Sequence, residues 1–380
     1  MGKHFWIFTH NFTNSGAPLV MAAIARELAA AGWREQLRII SWGGLHDQRH
    51  SNLQHQLIAE GIKCQVLDPS QLPPNVNPGD RLLLNTVALP DQVIQHALAW
   101  LNLGRLRRLD WYAHESDPQF WIINQKTRSL IAAALGSSGL QMRVPSINVR
   151  CTYQKWLNYD GDSLDIHCPR IQPSQLFSSN QLFSEKDFET LRIVLVGAAG
   201  FGNKGHLWLL QLLESVLSKV PNQSPGMRPL KVQLLGLETG LYAGLAREVI
   251  RRYQSLLRDF FSWEEAASRD AVLGQMRESN IVINCSYKEA FSCVSVEGMA
   301  LGLIPMRTRT GGFEEQIVPY EVGFDLGKPS HTINSWQTQL LIDLRDRCKT
   351  SDSFLLGMSN HCKEFSKKFF LSDYRSWLIK

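Results

Sequence analysis

The sequence predicts an α/β protein of two open, parallel-sheet domains. Three observations carry this. The chain has 380 residues, enough for two domains of ordinary size that each bury a core. Short apolar runs of strand length alternate with segments whose apolar residues recur at helical spacing. A glycine-bearing turn links a strand to a helix near the start of each half, an arrangement that aims backbone N–H groups at a phosphate.

In the first half, Phe5 to Thr9 reads as a strand, and His10 to Pro18 as a turn carrying Gly16. Leu19 to Ala31 is a helix with Val20, Ile24 and Leu28 on one face, Pro18 in its first turn and Gly32 as its stop. Leu37 to Trp42 is the next strand. Alternation continues with a helix over Leu53–Glu60, strands over Lys63–Leu67 and Arg81–Asn85, a helix over Asp91–Leu101 and a strand over Leu109–Tyr112. The last ends in His114-Glu115-Ser116-Asp117-Pro118, at the strand end where open α/β sheets bind ligands. Taken alone, His114 reads first as a partly buried histidine bonded to backbone. Residues 124–135 read as a helix, Ser146–Val149 as a strand and Thr152–Leu157 as a short helix. Asp160-Gly161-Asp162 has the form of a metal-holding D-x-D, but turn chemistry explains it. Residues 174–190, rich in Ser, Gln and Asn, read as a linker.

The second half opens on the strand Leu191–Val196 and the run GAAGFGNKG, Gly197 to Gly205, before a helix over His206–Val220. Such a turn is a phosphate cradle. Its glycines do not follow the dinucleotide order, and no acidic residue stands about 20 positions on. A strand over Lys231–Leu237 and helices over Leu241–Leu257 and Ala266–Ser279 lead to the apolar strand Ile281–Ser286.

The stretch YKEAFSCVSVEGMALGLIPMRTRTGGFEE, Tyr287 to Glu315, organises the second half. Glu289 sits on the loop after the strand, and Glu297 about one turn inside the helix that starts at Cys293. Lone glutamates are mostly solvated surface charges. Here the helix N-terminus, with the N–H groups of Cys293 and Val294, offers an anion site, and the two carboxylates can accept from sugar hydroxyls. Gly302 and Pro305 bracket the helix end and the start of the next strand, Ile304–Thr310, and Gly311-Gly312 opens another helix. Helices near 333–348 and 353–368 and a final segment from Phe370 to Leu378 complete the chain.

This stretch resembles the family 4 retaining glycosyltransferases of GT-B architecture, whose signature is Glu, seven residues, Glu. Glu289, Phe291, Glu297, Met299, Ala300, Gly302, Pro305, Gly311, Gly312 and Glu315 fit; Ser292 replaces the usual glycine and Gly298 the usual alanine. The resemblance extends to the first loop with Gly16, to the histidine loop at His114, and to Lys204-Gly205. It weakens at Ile171–Phe177, where Ser174 and Gln175 depart, and at Ala198, where the family has an arginine for the phosphate. Arg307 or Arg309 is a candidate replacement. The resemblance implies two Rossmann-like domains facing a cleft: residues 1–180 on the acceptor side and 190–360 on the donor side, with 361–380 as a helix crossing back to the first domain.

It also implies a metal-independent, hexosyltransferase-type enzyme without cofactor. The enzyme would move a sugar from a nucleotide-diphosphate sugar to a sugar, lipid or glycan acceptor in polysaccharide or glycoconjugate synthesis. Lys204 would bind the diphosphate, Glu289 the sugar and Glu297 the ribose. His114 would lie against the donor sugar, with Gly16, Gly205, Phe291, Ser292, Cys293 and Val294 completing the donor site. A nucleotide-sugar epimerase of the same fold and a non-catalytic nucleotide-sugar-binding protein remain alternatives. A dinucleotide oxidoreductase leaves the two glutamates unexplained.

Composition sets the remaining bounds. Lys plus Arg number 40 and Asp plus Glu 35, a net charge of +5, which does not describe a nucleic-acid binder. Seven scattered cysteines without a CxxC fit a reducing compartment and no zinc site. The first residues lack a signal-peptide core and no apolar run reaches transmembrane length, so a cytoplasmic location is expected. Trp100, Leu101, Leu103 and Leu106 with Arg105, Arg107 and Arg108 read either as a patch for the inner membrane surface or as an ordinary helix end with a basic last turn.

Overall fold

The computed structural model describes residues 3–13, 16–43, 51–122, 124–137, 139–170, 176, 186–197, 202–236, 243–264, 269–370, 374 and 378. The chain divides into two compact units, Met1–Ile171 with Leu371–Lys380, and Gln172–Phe370. Ser174, Gln175 and Ala198 lie outside the described residues.

Unit 1 is built on strands β1 (Phe5–Thr9), β2 (Leu37–Ser41), β3 (Lys63–Val66), β4 (Arg81–Leu84), β5 (Leu109–Tyr112), β6 (Leu140–Val144) and β7 (Leu164–Ile166). They form one parallel sheet in the order β3-β2-β1-β4-β5-β6-β7. Its main helices are α1 (Gly16–Leu28), α2 (Ser51–Ala59), α3 (Asp91–Asn102), α4 (Pro118–Trp121), α5 (Gln125–Gly136) and α6 (Ile147–Leu157). The inner strands are near-continuous apolar runs because helices cover both faces of a parallel sheet. Phe5, Ile7, Leu37, Ile39 and Leu83 meet Met21, Ile24 and Leu28 in one core, which also takes in Tyr374 and Leu378 of the terminal segment. The Tyr374 hydroxyl accepts from the Arg170 N–H at 2.9 Å.

One expected strand is corrected. Ser146–Val149 is not extended; the strand is β6, and Ser146 caps α6, its Oγ accepting from the Val149 N–H at 3.4 Å. A serine just after a proline is a helix-start signal that outweighs the β-branched residue following it.

Unit 2 carries β8 (Leu191–Val196), β9 (Leu230–Leu235), β10 (Phe261–Glu264), β11 (Ile281–Asn284), β12 (Ile304–Arg307) and β13 (Phe324–Asp325). They too are parallel, in the order β10-β9-β8-β11-β12-β13. Around them lie α7 (His206–Lys219), α8 (Ala243–Leu257), α9 (Arg269–Glu278), α10 (Cys293–Ala300), α11 (Phe313–Gln316), α12 (Ser335–Arg345) and α13 (Asp352–Ser366). The sequence order reverses at β1/β4 in unit 1 and at β8/β11 in unit 2. Loops leaving the carboxyl ends of such strand pairs diverge, and ligands bind between them.

Candidate functional site

In unit 2 the two diverging loops follow β8 and β11, and they are tied to each other. The Tyr287 N–H donates to the Asn203 carbonyl at 2.8 Å. Gly205 has φ +73°, and a Cβ there would fall inside the shell of the Cys285 carbonyl oxygen. Only glycine allows that backbone and that approach. The contact brings Lys204 Nζ to 2.7 Å from Glu289 Oε2.

Glu289 is held by several groups. Asn284 Nδ2 at 3.4 Å and Ser286 Oγ at 3.5 Å also donate to Oε2, and the Ala290 N–H donates to Oε1 at 3.2 Å. Burial pushes the carboxyl up, but the Lys204 charge and hydrogen bond, then Arg307 and Asn284, outweigh it and hold Glu289 below its ordinary value. It is an ionised acceptor at neutral pH.

Asn284, the last residue of β11, shapes the turn into α10. Its Nδ2 donates to Ser292 Oγ at 2.6 Å, and its Oδ1 accepts from the Ser286 N–H at 3.1 Å. Ser292 takes the left-handed conformation, φ 64° and ψ 75°, and its Oγ accepts from the Ser295 N–H. The glycine usual at this position thus has a physical counterpart: the turn requires a left-handed residue, and serine occupies it because Asn284 and Ser295 bond its hydroxyl. Helix geometry leaves the N–H groups of Cys293 and Val294 outside the helical ladder. The Phe291 side chain is 2% exposed and edge-on to Phe369, so only its backbone can face a ligand.

The glycine pair supports the same loop. A Cβ on Gly311 would overlap the Glu289 and Ala290 carbonyls, and one on Gly312 the Phe291 carbonyl. Arg307 is fully buried and donates to the Gly312 and Gly311 carbonyls at 3.0 and 2.9 Å and to Gln316. Arg309 pairs with Asp325. Arg307 therefore clamps the loop from beneath, and its charge also reaches Glu289.

Glu297, in α10, is 4% exposed and is met by a residue the sequence reading missed. Arg269, the first residue of α9, donates through Nη1 to Oε2 at 2.9 Å and through Nη2 to Oε1 at 2.5 Å. Nothing in sequence spacing signals a pair between two helices 28 positions apart.

In unit 1 the strand ends gather Thr9, Asn85 and His114. The His114 Nε2 lies 3.1 Å from Asn85 Oδ1, while Asn85 Nδ2 donates to the Ala17 carbonyl at 3.1 Å. That second bond orients the amide, so Nε2 carries the proton and Nδ1 the lone pair. Burial, then the charges of His10 and His167, push His114 down to about 3; it is neutral at physiological pH. Glu115 accepts from the Thr86 hydroxyl and from the Val87 N–H at 3.0 Å, which makes it a loop brace. Gly16 opens α1, exposed, with none of the described residues near a would-be Cβ. Beside these strand ends is a cavity of about 400 Å³ lined by His10, Asn11, Trp42, Leu89 and Trp121 among others. The two tryptophans were not singled out in sequence, although each follows shortly after a strand end.

Asp160 and Asp162 lie in the turn between α6 and β7. Among the described residues no three His, Cys, Asp or Glu side chains gather as a metal-ligand group. Of the residues of the candidate membrane patch, Trp100 and Leu106 are buried, Arg108 pairs with Asp110 at 2.6 Å, and Leu103 is exposed. No helix of the described residues is long and apolar enough to cross a membrane.

No family model and no curated protein matches the sequence. Solved structures do match in three dimensions. The chain is similar to HepE of Anabaena in complex with UDP, at 13% identity and TM-score 0.71 over 97% of this chain and 95% of that one. It is similar to a glycosyltransferase from Rickettsia africae, at 15% identity and TM-score 0.66 over 97% and 95%. WaaG, a glycosyltransferase involved in lipopolysaccharide biosynthesis, matches at 13% identity and TM-score 0.62 over 98% and 96%. The chain has a glycosyltransferase fold. At these identities the likeness establishes the architecture, two Rossmann-like units of the GT-B class, and the chemistry must be argued from the residues.

Proposed function

We propose that the chain is a retaining glycosyltransferase that moves a hexosyl unit from a nucleotide-diphosphate sugar to an acceptor hydroxyl. The observation that carries the reading is the Lys204–Glu289 pair, 2.7 Å apart where the strand order of unit 2 reverses. A fixed cation for phosphate and a fixed carboxylate for hydroxyls are what a sugar diphosphate needs from one side. The UDP and UDP-glucose complexes of HepE support the ligand class.

In the transfer, the bond from the anomeric carbon to the diphosphate oxygen breaks and a bond to the acceptor oxygen forms on the same face. Negative charge grows on the leaving diphosphate, whose departing oxygen takes up the proton that the acceptor hydroxyl loses. An ammonium has three donors, so Lys204 can hold Glu289 and a phosphate oxygen together. The Cys293 and Val294 N–H groups at the positive end of α10 add to that stabilisation, which grows in the transition state. Fixed charges of this kind do the work without a metal. Glu289 accepts from the sugar hydroxyls and Glu297 from the ribose. Gly205 and Ser292 supply the backbone turns, and Phe291 anchors the loop. In unit 1, Gly16 opens the helix facing the substrate and neutral His114 hydrogen-bonds a sugar hydroxyl. The cavity beside Trp42 and Trp121 takes the acceptor. The likeness to WaaG supports a place in polysaccharide or glycoconjugate synthesis.

The test is a thermal-shift panel of UDP-, GDP- and ADP-sugars, followed by product analysis with and without acceptors. A melting temperature raised by one donor series, and a product with the donor's anomeric configuration, are expected. Epimerised donor without acceptor would replace this reading with an epimerase; no shift with any donor would remove it.

A further inference from the structure

We propose that Arg269 is a positioning residue for nucleotide binding: its guanidinium fork sets the plane of the Glu297 carboxylate and leaves one lone pair on each oxygen for the ribose. This rests on the ribose role of Glu297 given above and adds a residue to it.

Glu297 lies in the middle of α10 with its side chain 6% exposed. Burying a carboxylate so deep without a partner is costly. Any cation would supply charge. Arginine supplies geometry as well, because its two parallel N–H bonds, here 2.9 and 2.5 Å long, fix both carboxylate oxygens at once, where lysine would act as a point charge. A carboxylate has about four acceptor sites. The fork uses one per oxygen, and the one remaining on each matches two neighbouring hydroxyls, the arrangement a ribose 2′,3′-diol presents. Arg269 is also more exposed than the glutamate it holds, 31% against 6% for the side chains. A pair that merely joined α9 to α10 would stabilise the fold and would not sense ribose hydroxyls.

The experiment is calorimetric titration of the full chain with UDP, GDP and ADP, then with the 2′,3′-dideoxy form of the tightest binder. In the wild type, loss of the diol should weaken binding about tenfold or more, the size of hydrogen bonds to a charged acceptor. In Arg269→Met and Arg269→Lys that penalty should shrink to within about threefold, since neither side chain reproduces the fork. Arg269→Lys keeps the counter-charge if Arg269→Met does not fold, and melting curves check both. An undiminished diol penalty in a folded variant overturns the proposal and leaves the glycosyltransferase reading standing. A wild type that binds nucleotide without a diol penalty overturns it by removing the ribose role of Glu297. A wild type that binds none of the three nucleotides overturns the donor reading together with the proposal.

Discussion

Lys204 and Glu289 are 85 positions apart in sequence, and their side chains meet at 2.7 Å. Each stands on a loop from one of the two central strands of unit 2, β8 and β11. The pair exists because Gly205 lets one loop close against the Cys285 carbonyl of the other. Cation and carboxylate are therefore held in place by the fold itself, the preorganisation that electrostatic stabilisation requires.

Glu289→Gln should leave the fold intact and lower kcat about 100-fold or more, on the order of 3 kcal/mol, because the charge lost sits at the sugar. Its stability effect depends on pH. The folded carboxyl is held below its ordinary 4.5, so the stabilisation is fully present above that value and is lost as pH falls through the folded one. Urea midpoints of wild type and variant should differ most near neutrality and converge as pH falls below the folded value. A near-normal kcat with the true donor would sink the assignment.

Lys204→Ala should weaken binding of a nucleoside diphosphate much more than binding of the nucleoside, through loss of a charge-assisted contact. Calorimetry with UDP and uridine makes the comparison. Equal losses for the two ligands would place Lys204 away from the phosphates.

His114 should make the protein acid-sensitive. Burial holds its imidazole at about 3 against an ordinary 6.5. The unfolded chain therefore takes up the proton first, and the stability present above 6.5 is lost as pH falls through that window, by about 1.4 kcal/mol per pH unit. Chemical denaturation of wild type and His114→Gln between about pH 7 and pH 5 reads the difference. The same slope in both proteins would mean that His114 protonates freely in the folded state.

Activity should survive excess EDTA, because Lys204 and the start of α10 provide fixed positive charge for the leaving group. Asp160→Asn with Asp162→Asn should leave turnover within a few-fold. Loss of activity with EDTA, its return with Mg²⁺ or Mn²⁺, and a dead double variant would together identify a catalytic metal site.

The loops that bear Glu289, Ser292 and Lys204 were legible because strand, turn and helix follow one another there with strong local signals. Ser292 itself looked like a departure, since left-handed backbone leaves no mark on a serine. Arg307 looked like a cation near a strand end; that it points inward and bonds Gly311 and Gly312 depends on a tertiary path that no local pattern encodes. Arg269 was invisible for the same reason. Strands β7, β10 and β13 also escaped; β7 has three residues and β13 only two, too few to carry a periodicity.

Gly205, Gly311 and Gly312 each press a bare Cα against a carbonyl of the 285–291 loop. A saturation library of this chain, sorted only for folded protein and never for turnover, should return glycine at all three positions. The same sort should leave position 16 open, because a side chain there would meet none of the described residues. Sequence drift tolerated in one loop and purged in the other would then report how tightly the backbone is packed rather than which residues touch the sugar.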